Sequence, residues 1–194
     1  MPSYLEGEVK QMMPLIRELA QCDQSLFYGW RIGSVRIDMA GQAARFLSHI
    51  APIRHGCCVI TIQGIQEDGC ICQQMQCVVC QPRAESQKTH KTMSLYPGGQ
   101  QRRILHTFSR EEIQQYLIQS GDDNPIHQGT HPIVPGLCIL WHLQQDLAIS
   151  SLHWKASFHA PVYAGDTVTV VQEAKRWHGY VRTHRVFTIQ LVTI

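Results

Sequence analysis

The chain has 194 residues, with 17 Lys and Arg against 15 Asp and Glu, and 44% of it is hydrophobic. That apolar share supports a packed core and excludes disorder as the main state. No stretch approaches the ~18 uninterrupted apolar residues of a membrane span, and a net charge of +2 makes no case for nucleic acid.

Charged residues are only 16%, against about 25% in average soluble domains. Such a surface suggests a homo-oligomer or a large ligand groove. The N-terminus carries Glu6, Glu8 and Lys10 where a secretion signal needs an apolar run, so a cytoplasmic, unprocessed chain is expected. In that compartment the 8 cysteines are expected as reduced thiols.

In chain order, residues 5–21 place Val9, Met12, Met13, Ile16 and Leu19 near one helical face, with Pro14 expected to start or kink the helix. Residues 44–50 are expected as a strand. Residues 51–62 (APIRHGCCVITI) resemble residues 160–171 (APVYAGDTVTVV), with Ala51, Pro52 and Gly56 matching Ala160, Pro161 and Gly165 at one offset. A second β-rich run follows each block, entered through Asp68-Gly69 and through His178-Gly179. Each pair reads as a hairpin, and the match reads as a duplication. Residues 82–103 have linker composition, which places a boundary near residue 95. The two halves are therefore 1–94 and 95–194. Residues 109–119 open with Ser109 and Glu112 in capping-box spacing. Residues 135–147 open with Pro135-Gly136 and run apolar, as in a helix buried on most sides. Helices followed by antiparallel strands give an α+β layered fold, a sheet wrapped around buried helices.

The informative segment is 116–127, YLIQSGDDNPIH. It sets Asp122 and His127 across a proline-stiffened turn. A carboxylate beside an imidazole is a usable acid–base pair, because the imidazole titrates near neutrality. Gly136 opens the next helix, whose unpaired N–H groups and dipole can hold a developing oxyanion. The same Gly-Asp-Asp-Asn-Pro text is also good turn chemistry without catalysis.

Tyr116 and Ser120-Gly121-Asp122-Asp123-Asn124-Pro125-Ile126-His127 resemble the signature of the MaoC-like (R)-specific enoyl-CoA hydratases and hydroxyacyl dehydratases. Phe158-His159-Ala160-Pro161 and Gly165-Asp166-Thr167 resemble that family's downstream strands. The resemblance covers about residues 104–192. It implies a hot-dog fold and, for the whole chain, a double hot dog whose first half is catalytically silent. It implies that Asp122 and His127 activate water, that Asn124 orients the turn, and that the Gly136 amide polarises the thioester carbonyl. His131 is a further candidate for contact with ligand. The implied substrate is an acyl-CoA or acyl-carrier-protein thioester, hydrated or dehydrated without a metal or cofactor. The segment from His127 to Gly136 also resembles the β-hydroxyacyl-carrier-protein dehydratases. Their helix glutamate has Trp141 at the matching position.

Two competing functions belong to the same fold: a thioesterase, in which Asp122 directs water at the carbonyl carbon, and a non-catalytic acyl-thioester-binding subunit. Cys77-Val78-Val79-Cys80 has metal-ligand spacing, but on a strand positions three apart face opposite sides, so buried thiols are expected there. Arg102-Arg103, Lys88 and Lys91 read as a solvated basic stretch that could attract the phosphates of a pantetheine carrier.

Overall fold

Apolar positions at helical spacing near the N-terminus and alternating ones beyond it build two kinds of surface that must cover each other. The computed structural model describes residues 5–22, 27–53, 56–82, 102–146 and 153–191. Helix α1 (Leu5–Gln21) runs unbroken through Pro14. Proline at this position therefore neither starts nor ends the helix. Its missing hydrogen bond, worth ~3 kcal/mol in a helix interior, is outweighed by burial of Met12, Leu15 and Ile16. That face packs on two later helices and on the sheet. Among the described residues no helix is long and apolar enough to cross a membrane.

The strands are β1 (Arg31–Met39), β2 (Arg45–Ile53), β3 (Cys57–Ile65), β4 (Ile71–Cys80), β5 (Arg103–Thr107), β6 (His153–Phe158), β7 (Thr167–Glu173), β8 (Arg176–Val181) and β9 (His184–Leu191). They form one antiparallel sheet in the order β2-β3-β4-β1-β6-β9-β8-β7-β5. The sheet is open, with β2 and β5 at its edges. The β1·β6 pair joins the two runs of strands, with Val35 opposite Ala156 and both side chains buried. Helices α2 (Arg110–Ser120) and α3 (Gly136–Asp146) lie between β5 and β6 in the chain. α3 carries the buried Leu137, Cys138, Ile139, Leu140 and Leu143.

The order β2-β3-β4-β1 mirrors β7-β8-β9-β6 about the central pair. In this arrangement β3 takes the place of β8, whereas the sequence repeat set its residues beside those of β7. The repeat is therefore shifted by one strand. Ala51-Pro52 lies within β2, on the sheet edge where a missing N–H is tolerated, while Ala160-Pro161 lies in the loop after β6. Gly56 and Gly165 share a left-handed φ of 69° and 88°, and each precedes a strand, so their match reflects local turn chemistry. The Asp68-Gly69 turn links β3 to β4 as expected. His178-Gly179 does not make a turn, because it lies inside β8. The turns around β8 are Ala174-Lys175 and Arg182-Thr183, with left-handed Ala174 and Arg182. Neither carries the glycine that marks such turns in a sequence.

Residues 45–50 of the strand expected over 44–50 belong to β2, and the boundary proposed near residue 95 lies outside the described residues. The reduced-cysteine expectation is corrected at one pair. Cys57 and Cys80 are register partners on β3 and β4 and form a disulfide. Antiparallel pairing sets these residues side by side, which their separation of 23 does not reveal. Cys77 is fully buried on the face of β4 opposite Cys80. The other six cysteines are free thiols.

Gly179 of β8 stands opposite Phe187 of β9, and a Cβ there would overlap the phenyl ring. Gly179→Ala is expected to destabilise the fold by about 1–3 kcal/mol through overpacking, measured as a lower urea midpoint at unchanged m.

Candidate active site

Helix α2 delivers the site. Ser109 caps it by accepting the Glu112 N–H at 3.1 Å, and the Glu112 carboxylate returns to the Ser109 N–H at 2.8 Å. Gly121 ends the helix in the left-handed region (φ 75°), donating its N–H to the Leu117 carbonyl. That reversal turns the following residues back toward the core.

The next residues form a nested set of hydrogen bonds. Asp122 Oδ1 accepts the Asn124 N–H at 3.0 Å. Asn124 Oδ1 accepts the Gly29 N–H at 3.2 Å and the Ile126 N–H at 3.4 Å. Its Nδ2 donates to the Trp30 carbonyl at 3.0 Å. Asn124 thus ties the site turn to the chain entering β1. Pro125–His127 closes as one 3-10 turn.

His127 is 9% exposed. Its Nδ1 is 2.7 Å from the Ile133 carbonyl, an acceptor only, so Nδ1 carries the proton. Nε2 is then left with its lone pair toward Asp122 Oδ2, 3.6 Å away. Burial pushes the imidazole below its ordinary pKa, opposed by the Asp122 charge and by the Ile133 carbonyl. The ring is therefore neutral and basic at Nε2 near pH 7.

The pair faces two cavities. One, of about 640 Å³, is lined by residues from both parts of the chain, including Ile16, Phe27, Trp30 and Ile60 with Asp122, Asn124, His127 and Gly136. The other, of about 620 Å³, lies beside α2 and is lined by Arg110, Gln114 and Gln128 as well as by Asp122 and His127. The acid–base pair stands where the two meet, reachable from either side. Gly136 is the first residue of α3, whose opening N–H groups lack intrahelical acceptors. A Cβ on Gly136 would lie 2.7 Å from the Phe158 ring, so glycine permits this close approach.

Asp122, Asn124, His127 and Gly136 are thus brought to one cavity. His131 is not among them: it is exposed and lines neither cavity. Its loop runs outward before Pro132 turns the chain back. Several participants had no signal in the sequence. The Ile133 carbonyl and the Gly29 and Trp30 backbone act through main-chain atoms, which residue identity does not mark.

No family model matches the chain, and no curated protein matches it by sequence. Solved structures do match in three dimensions. HtdX of Mycobacterium tuberculosis aligns at a TM-score of 0.65 with 14% identity, over 92% of this chain and 83% of that one. A MaoC-like dehydratase aligns at 0.64 with 10% identity, over 93% and 82%. The fold is a hot dog. An acyl-ACP thioesterase from Bacteroides thetaiotaomicron shares it, at 0.54 with 10% identity, over 87% and 78%. The structural likeness to MaoC-like proteins agrees with the resemblance carried by Gly121–His127.

Asn124→Ala is expected to destabilise the chain by about 1–3 kcal/mol, since it leaves the Gly29 N–H and the Trp30 carbonyl unpaired. A urea melt measures this. The depressed His127 pKa also sets a pH dependence. Below the ordinary value of 6.5 the unfolded chain binds a proton that the folded chain resists. The neutral ring's contribution is complete above that value and is lost as pH falls below it. Stability measured from pH 7.5 to 5 is expected to fall less steeply in His127→Gln than in the wild type.

Proposed function

We propose that the chain is an acyl-thioester hydro-lyase of the MaoC-like family. It would hydrate trans-2-enoyl thioesters to (R)-3-hydroxyacyl thioesters, or run the reverse dehydration. The architecture would be a double hot dog, with residues 1–94 as a silent half that completes the groove and residues 95–194 as the catalytic half. The observation that carries this reading is the His127 geometry: a neutral imidazole with its basic Nε2 turned to the Asp122 carboxylate at the rim of an apolar cavity.

In the proposed mechanism a water hydrogen-bonds to both His127 Nε2 and Asp122 Oδ2. One group takes a proton from the water as its oxygen bonds to C3. That same group, now protonated, returns the proton to C2 while the other holds the water in line, so that one H and one OH are added in total. Delivery of both from the same side makes the addition syn. The electron pair of the C2–C3 double bond passes transiently to the thioester oxygen, and the N–H groups at the start of α3, with that of Gly136 foremost, oppose this developing charge. General acid–base catalysis by such a pair contributes roughly 10²–10⁴-fold. The apolar lining from Ile16, Phe27, Trp30 and Ile60 would receive the acyl chain. A coenzyme A or acyl-carrier arm would enter from the side of Arg110. No step calls for a redox cofactor.

The test is hydration of crotonyl thioesters, on coenzyme A and on an acyl carrier protein, followed by loss of the enoyl absorbance with chiral analysis of the product. The expected result is (R)-3-hydroxybutyryl thioester, with the rate lowered about 10²–10⁴-fold in Asp122→Asn and in His127→Ala. Release of free thiol would replace this reading with a thioesterase. Inertness toward short and medium chains on both carriers would leave an acyl-binding subunit.

A further inference from the structure

Away from the Asp122/His127 pair, three side chains with metal-ligating atoms converge where β5, α2 and α3 meet. They are His106 on β5, Glu112 in the first turn of α2 and His142 on α3. One ligand atom from each lies within 4.8 Å of the others, and all three residues are half-buried. His106 Nε2 is 2.8 Å from Glu112 Oε1. The helix cap sets the Glu112 rotamer, because its second oxygen accepts the Ser109 N–H. The two imidazoles stack 4.3 Å apart at 22°. Phe108 meets both edge-on, at 4.8 and 5.1 Å, and Trp141 meets His142 at 5.4 Å. The donors are thus supplied by three different elements and framed by rigid rings. None of them lines either cavity at the acid–base pair.

We infer that His106, Glu112 and His142 form a binding site for a divalent first-row cation of the zinc type, with solvent completing its coordination. Two imidazoles and one carboxylate are the mixed nitrogen–oxygen set that suits zinc, whereas magnesium and calcium select oxygen donors. Tetrahedral bond lengths near 2.0–2.2 Å set donor atoms roughly 3.4 Å apart, so the three donors must draw together on binding. That movement opens the stack of the two imidazoles. Neutral imidazoles leave one carboxylate charge against the dication, and the half-exposed setting lets water offset the remainder. The role is that of a staple. The ion ties edge strand β5 to α2 and α3. Glu112 and Asp122 stand at opposite ends of α2, about 15 Å apart at 1.5 Å per residue, so the ion touches no reacting atom.

The test uses the full chain, stripped with a chelator and titrated with zinc chloride against a chromogenic competitor, alongside thermal unfolding with and without zinc. The expected result is one zinc per chain, a midpoint raised by several degrees, and at least about tenfold weaker binding in His142→Ala and in Glu112→Gln. Glutamine also serves the capping box, so Glu112→Gln removes the anionic ligand and keeps the helix start. Asp122→Asn is expected to bind zinc like the wild type. Absence of stoichiometric binding overturns the inference. So does zinc that survives both ligand substitutions, which would place it on the free thiols.

Discussion

The hydrogen bond from His127 Nδ1 to the Ile133 carbonyl constrains everything else about the site. It fixes the tautomer, and with it the direction of the basic nitrogen. A buried imidazole without such a partner could rotate or flip. The bond depends in turn on the chain returning from His127 to Ile133 within a few residues. The Ile133 N–H to Ile126 carbonyl bond, at 2.9 Å, and the antiparallel bridge between Ile133 and Tyr163 hold that return in place. Burial then keeps the ring uncharged, and the Asp122 charge limits how far its basicity falls.

A second dependence runs across the molecule. Asn124 bonds the Gly29 and Trp30 backbone, close to ninety-five residues earlier in the chain. Those bonds can form only because β1 and β6 pair and make one sheet of the two runs of strands. The same junction brings Ile16, Phe27 and Ile60 to the cavity that Asp122 and His127 face. The N-terminal residues thus supply both a support for the site turn and much of the apolar wall. Phe27 and Trp30 pack edge to face at 5.4 Å, which stiffens the segment that holds Asn124.

Helix α2 is polar over much of its length and is positioned by its ends. Its capping box begins it beside β5. Its left-handed Gly121 ends it where Asp122 must turn inward. One element therefore connects the His106, Glu112 and His142 cluster to the acid–base pair.

Local chemistry was legible in the sequence alone. The capping box at Ser109 and Glu112, the Gly-Asp-Asp-Asn-Pro turn, the buried start of α3 at Gly136 and the Asp68-Gly69 hairpin all depend on neighbours within a few residues, so spacing and residue type determine them. The fold class followed from the same patterns. Whatever depends on distant partners was decided only by the tertiary structure. The true correspondence of the strands, the glycine-free turns at Ala174 and Arg182, the Cys57–Cys80 bond, the outward placement of His131 and the backbone partners of Asn124 and His127 all arise from pairing between segments far apart in the chain. A main-chain carbonyl looks the same in every residue, and strand register is a property of two segments together, so neither can be read from one stretch of sequence.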